Sequence, residues 1–259
     1  MSQPLGAGHA RVRRLRALLR DASVRAAESA VALEGPRAVS DALERGVVLE
    51  AVYIPFDGAA PGGFPPGCVV ERLASGLIER VATTKTPQPI IGVAPRPDVI
   101  AVDRFPPGGC VLVLAGVSDP GNVGTLLRAA EASGAVGVIV GPGTADVFSP
   151  KVVRASAGSI FGVPIAVVGD LPAALSILRA SGRRRLGTVA DGGTRYTAAA
   201  LAEPIALVLG NEAHGISAEL DPSIDELITI PMAGAAESLN VAMAGSILLF
   251  EANRGREEG

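Results

Sequence analysis

The chain has 259 residues, 48% of them hydrophobic and only 3% aromatic, so a sizeable core of Val, Leu, Ile and Ala can be buried in one large domain or two smaller ones. Net charge is −3, which advertises no overall nucleic-acid affinity, but Arg11, Arg13, Arg14, Arg16, Arg20 and Arg25 crowd the first 25 residues and Arg183, Arg184 and Arg185 form a second cluster. No apolar run approaches the roughly 18 residues of a membrane span, no apolar segment of a secretory signal follows the first arginines, and Cys68 and Cys110 have no metal or disulfide spacing, which together point to a reduced, cytoplasmic setting without a metal.

Residues 1–9 read as a tail. From Arg11 to about Ser29, Val12, Leu15, Leu19 and Ala22 recur at three- and four-residue spacing, which predicts one helix with arginines on its other face, either a solvated surface or an RNA contact. A helix over 36–45 is opened by Pro36 and stopped by Gly46. A strand over 47–54, a Gly/Pro-rich loop over 57–67, a short helix near 71–77 and a strand near 92–94 follow. Pro95, Pro97, Pro106 and Pro107 punctuate a linker, which predicts domains over 1–100 and 106–259.

The second part alternates regularly. Strands are expected over 111–117, 136–140, 165–168, 186–190, 205–209 and 227–230. Helices are expected over 122–133, from Ser149 to about 158, over 171–180 and over 240–254. Continuous apolar strands alternating with helices mean an α/β fold whose mostly parallel sheet carries helices on both faces.

Three of these strands are followed by small and polar residues, at the carboxyl ends where open α/β sheets bind ligands. The first loop is Asp119-Pro120-Gly121-Asn122-Val123-Gly124, with Arg128 interrupting an otherwise Leu/Ala helix. The second is Leu209-Gly210-Asn211-Glu212-Ala213-His214-Gly215. The third runs Ile230-Pro231-Met232-Ala233-Gly234-Ala235-Ala236-Glu237-Ser238-Leu239-Asn240. A dinucleotide-binding enzyme is disfavoured: G-x-G-x-x-G is absent, Pro120 sits in the turn and no acid ends the next strand. A serine hydrolase lacks its elbow, and His9 and His214 are the only histidines. On spacing alone Arg128 suits a salt bridge, to Glu131 or Glu212, and Glu212 suits a general acid or base, an anchor for a hydroxyl or an amide, or a structural partner for backbone N–H groups. His214 reads as a loop residue.

In this order, the three loops resemble the motifs of the SpoU (TrmH-type) branch of the SPOUT RNA methyltransferases, over roughly residues 110–255. The turns Glu34-Gly35-Pro36-Arg37 and Thr84-Lys85-Thr86-Pro87-Gln88 resemble those of the small α/β L30e-like RNA-binding domain that precedes many of these enzymes. The resemblance implies S-adenosylmethionine-dependent 2′-O-methylation of a ribose in structured RNA, with 23S ribosomal RNA ahead of tRNA, a trefoil knot, and a homodimer built on the C-terminal domain. A non-catalytic RNA-binding protein is the alternative from another class. By the same resemblance, Asn122, Arg128, Glu212, Ser238 and Asn240 are catalytic, and Leu209, Gly210, Asn211, Ile230, Pro231, Met232, Ser238 and Leu239 surround the cofactor. Arg11, Arg13, Arg14, Arg16, Arg20 and Lys85 would meet RNA.

Overall fold

The computed structural model describes residues 3–58, 64, 66–202, 204–234 and 237–254. Residues 1–2 of the expected tail, 59–63 and 65 of the Gly/Pro loop, and Ala235 and Ala236 of the third motif lie outside them. In chain order the helices are α1 (Ala10–Arg20), α2 (Ala22–Glu28), α3 (Pro36–Glu44), α4 (Leu77–Val81), α5 (Pro120–Ala132), α6 (Pro150–Ala155), α7 (Leu171–Ala180) and α8 (Val241–Arg254). The strands are β1 (Ala30–Glu34), β2 (Ala51–Pro55), β3 (Val69–Leu73), β4 (Ile91–Pro95), β5 (Cys110–Leu114), β6 (Gly137–Val140), β7 (Ile165–Val167), β8 (Arg184–Thr188), β9 (Thr194–Arg195), β10 (Ile205–Leu209) and β11 (Glu226–Thr229).

The chain divides into two compact units. The first comprises Met1–Pro97 together with Phe148–Phe161. Its sheet runs β1-β4-β2-β3, with β4 antiparallel to both neighbours and β2 parallel to β3. Val12, Leu15, Leu18 and Leu19 of α1 bury one helical stripe against Ala30, Ala32, Tyr53 and Val93 of this sheet. The helix expected over 11–29 is broken at Asp21. Its carboxylate accepts from the Ser23 N–H at 2.8 Å and starts a second helix, a cap that competes with continuation of the first. The helix expected near 71–77 is also corrected. Val69, Val70 and Leu73 extend β3 along β2, and the helix begins only at Leu77. β-branched residues beside an open strand edge favour the pleated form.

In the first unit one carboxylate organises the turn after α4. Glu34, at the end of β1, is buried and accepts from the Thr83 N–H at 2.6 Å, from the Thr83 hydroxyl and from the Arg154 guanidinium of α6. A buried carboxylate is tolerated only when so paired.

The second unit, Asp98–Val147 with Gly162–Gly259, holds a seven-stranded sheet in the order β7-β6-β5-β10-β8-β11-β9, all parallel. β5 and β10 are buried along their whole length, as strands covered on both faces must be. Val111, Val113, Ala206 and Val208 pack on Leu171, Ala174, Leu175 and Leu178 of α7. The alternate residues face the other way. There α5 and α8 pack against each other, α8 on β5 and β10 and α5 on β6. Because β10 lies between β5 and β8, the loops after β5, β8, β10 and β11 all leave one edge of the sheet.

Gly245 sets the seat of α8. A Cβ at this position would stand 2.4 Å from a Leu126 methyl and 2.6 Å from a Leu209 methyl, so a side chain there must displace two buried leucines between α8, α5 and β10. Gly245→Val is expected to lower stability by about 1–3 kcal/mol through overpacking. Calorimetric unfolding checks this; a melting temperature equal to wild type would refute the contact.

Candidate active site

The carboxyl ends of β8, β10 and β11 and the first turns of α8 enclose a cavity of about 610 Å³. Leu209, Ile228, Ile230, Leu239 and Leu248 give it an apolar wall, while Glu212, Ser238 and Asn240 bring polar groups to it. Of the eight residues expected around a cofactor, Leu209, Gly210, Asn211, Ile230, Met232, Ser238 and Leu239 line the cavity, and Pro231 does not. Of the five expected catalytic residues, Glu212, Ser238 and Asn240 line it, and Asn122 and Arg128 do not.

The β10 loop is a tight turn. Asn211 and Gly215 exchange backbone hydrogen bonds at 2.9 and 2.8 Å. Gly210 permits it, because a Cβ there would lie 2.2 Å from the Gly215 carbonyl carbon, and backbone cannot yield as a side-chain end would. The Asn211 carboxamide ties the loop at both ends: it donates to the Gly116 carbonyl at 2.9 Å and accepts from the Ala213 N–H at 2.9 Å. His214 lines the cavity with its Nδ1 3.1 Å from the Asn211 Oδ1, a local contact within the loop.

Glu212 is held across the sheet edge by the β5 loop. It accepts from the Ser118 N–H at 3.2 Å, the Ser118 hydroxyl at 3.1 Å, the Asp119 N–H at 3.3 Å and the Asn122 Nδ2 at 3.0 Å. Two of the three roles open from the sequence are combined in this geometry, the anchor for a hydroxyl and an amide and the partner of backbone N–H groups. Partial burial pushes its carboxyl up, but the hydrogen bond from Asn122 and those from backbone N–H groups outweigh that, leaving it below the usual glutamate range. Asn122 passes the chain on: its Oδ1 accepts from the Asn240 Nδ2 at 3.1 Å. The Asn240 Oδ1 in turn caps α8 by accepting from the Ala242 N–H at 2.9 Å. Three loops are thereby joined through Glu212, Asn122 and Asn240. Arg128 is exposed on α5 and makes no hydrogen bond or ion pair with a described residue, so neither Glu131 nor Glu212 neutralises it.

The arginines of the first unit divide. Arg11 pairs with Glu71, and Arg14 pairs with Glu28 and, at 2.9 Å, with Glu50. Arg25 is buried and donates to the Leu18 carbonyl at 2.6 Å. Among the described residues Arg13, Arg16 and Arg20 bond only to backbone carbonyls, and Lys85 is exposed. The second basic cluster turns inward. Arg183 donates to the carbonyls of Pro106 and Gly108, Arg184 pairs with Glu226, and Arg185 pairs with Asp225, whose carboxyl it holds down at about 2. The sequence reasoning missed Thr188 at the end of β8, Val189 and Ala190 after it, and Asp221, all of which line the cavity. The place of β8 beside β10 makes the first three neighbours of the site, and strand order is not written in periodicity.

The sign of the Glu212 shift yields a test. A carboxyl depressed in the folded state contributes stability that is present above its unfolded value and lost as pH falls through the folded one. Glu212→Gln is therefore expected to be less stable than wild type at neutral pH, and the gap should close as pH drops below the ordinary glutamate range. Chemical denaturation over a pH series measures this; a gap independent of pH would remove the ionised carboxylate from the account.

Residues 109–250 match the SpoU rRNA Methylase family. The chain is 34% identical over 218 residues to the 23S rRNA (guanosine(2553)-2′-O)-methyltransferase RlmP of Bacillus subtilis (strain 168), covering 84% of this chain and 86% of that one. Its structure is similar to that of the SpoU methyltransferase AviRb from Streptomyces viridochromogenes in complex with the cofactor AdoMet, with a TM-score of 0.83 at 29% identity over 97% of this chain and 99% of the other. It is similar also to the AdoMet-bound rRNA methyltransferase from Sinorhizobium meliloti, with a TM-score of 0.80 at 31% identity over 98% of each chain.

Proposed function

Since the chain belongs to the SpoU rRNA methylase family, we propose that it is an S-adenosylmethionine-dependent RNA 2′-O-ribose methyltransferase acting in the cytoplasm on structured RNA, with 23S ribosomal RNA as the favoured substrate. The observation that carries the assignment is the cavity after β8, β10 and β11, whose size suits a nucleoside-sized ligand and whose wall is apolar with a few converging polar groups. Leu209, Gly210, Asn211, Ile230, Pro231, Met232, Ser238 and Leu239 would hold the cofactor, largely through backbone groups and apolar contact. When bound, S-adenosylmethionine supplies an electrophilic methyl group.

The chain's own residues supply position and charge. Glu212 and Asn122 fix the loop that opens α5, and Asn240 fixes the start of α8, so the two helix N-termini are set by one hydrogen-bonded chain. Free N–H groups at such termini suit phosphate, and Ser238 lies on the approach to one of them. Arg128, which has no partner among the described residues, is available to clamp the RNA and align the ribose hydroxyl. Alignment alone supplies large rate factors, and a guanidinium loses a proton very reluctantly. Of the cations expected to meet RNA, Arg13, Arg16, Arg20 and Lys85 form no ion pair with a described residue, and Arg11 and Arg14 would meet RNA only by giving up their carboxylates. That unit would serve as the L30e-like substrate reader.

Labelled methyl groups are expected on ribose after nuclease digestion of the product, and Arg128→Ala is expected to lose turnover by a factor on the order of a hundred or more with cofactor affinity nearly intact. Label on a base overturns the reaction, and near-wild-type turnover in Arg128→Ala removes that residue from it.

The same reading includes a homodimer through α8. Met243, Ile247 and Phe250 are 57%, 39% and 54% exposed, and they recur at four- and three-residue spacing as one apolar stripe opposite the buried Ala242, Gly245 and Leu249. A stripe of this kind needs a second cover. Light scattering at micromolar concentration is expected to give a dimer for wild type and a monomer for Ile247→Asp; a fully active monomeric wild type would refute the assembly.

A further inference from the structure

The cavity has an uneven charge. Of its lining side chains, the two that are acids, Glu212 and Asp221, face no Lys or Arg on the same wall among the described residues. Glu212 is already engaged by Ser118, Asp119 and Asn122. Asp221 differs. It opens a short 3-10 turn, Asp221–Ser223, its backbone N–H donates to the Ser217 carbonyl at 3.2 Å, and its carboxylate makes no hydrogen bond or ion pair with a described residue. An unneutralised carboxylate on the wall of a partly apolar cavity favours cations over neutral ligands of the same shape.

We propose that Asp221 is a specificity-determining residue that reads the charge at sulfur, so that the cavity prefers the cationic methyl donor to its neutral demethylated product. The inference rests on the reading of the cavity as the S-adenosylmethionine site. In the transfer, the ribose oxygen bonds to the methyl carbon as the carbon–sulfur bond breaks. The bonding pair stays on sulfur, and the hydroxyl proton leaves to solvent. Sulfur changes from a cation to a neutral thioether, while the adenosine and the amino-acid group are unchanged. The attraction of Asp221 is therefore present for the donor and lost for the product, which favours product departure. Glu212 adds a fixed negative background but is screened by its four donors.

Calorimetry on the 259-residue chain separates the cases. The ligands are S-adenosylmethionine, S-adenosylhomocysteine and sinefungin, which carries an ammonium in place of the sulfonium. Asp221→Asn is expected to weaken binding of the two cationic ligands by about three- to fivefold, the range of a partly exposed charge pair, and to leave S-adenosylhomocysteine unchanged. Asp221→Glu should restore the preference. In wild type, raising salt from 50 to 500 mM should weaken the cationic ligands more than the neutral one. Equal weakening of all three in Asp221→Asn would mean contact with the shared amino group and would overturn the proposal, as would an unchanged ratio. Failure of wild type to bind any of the three would instead overturn the cofactor site itself.

Discussion

A single carboxylate, that of Glu212, does for the site what a disulfide or metal does in smaller folds. It leaves the end of β10 and takes hydrogen bonds from the Ser118 and Asp119 N–H groups, the Ser118 hydroxyl and the Asn122 carboxamide. Those groups belong to the loop after β5, the neighbouring strand. Loops at a sheet edge have few apolar contacts to hold them, so their order must come from directed bonds. Asn122 relays the order to Asn240 and hence to the first turn of α8. The start of α5, the wall of the cavity and the start of α8 thus share one origin, and the tight Asn211–Gly215 turn below Glu212 is what aims it.

The distribution of positive charge follows a complementary logic. Arginines that look like a nucleic-acid patch in the sequence are largely spent on structure: Arg183 on backbone carbonyls, Arg184 and Arg185 on acids, Arg25 on a helix carbonyl. Arg128 is the contrast, a cation on a helix of Leu and Ala with no partner among the described residues. Keeping it outside the cavity separates the cationic element that suits a polyanion from the anionic wall that suits a sulfonium ligand.

The parallel sheet was legible because its strands are unbroken apolar runs. The segments at 205–209 and 171–180 coincide with β10 and α7 to the residue, the first bounded by Pro204 and Gly210 and the second by Asp170 and the Ser181-Gly182 pair. The first unit was less legible. β1 has only five residues, all buried, and follows directly on Ser29 in a left-handed conformation that ends α2, so helical and strand patterns run together without a loop between them. β3 was misread because its half-exposed Val-Val-Glu-Arg-Leu pattern takes its form from pairing with β2. At the site, the loops that carry polar residues out of strands could be named from sequence. Thr188 to Ala190 and Asp221 could not, because they become neighbours of those loops only through strand order and loop length.

The placement of α6 has a consequence for how the chain is made. β1 of the first unit is covered in part by α6, and Glu34 is satisfied in part by Arg154, yet these residues are translated about fifty positions after β4 ends. At ordinary elongation rates of about 5–20 residues per second, the chain of the N-terminal sheet is made several seconds before that of α6. During that interval it carries an apolar face and a buried carboxylate without their native cover. The first unit is thus not finished before the second begins. β5, α5 and β6 are already made when α6 arrives to complete it. Vectorial synthesis and the division into units run on different schedules in this protein, and the segment Phe148–Phe161 is where the two meet.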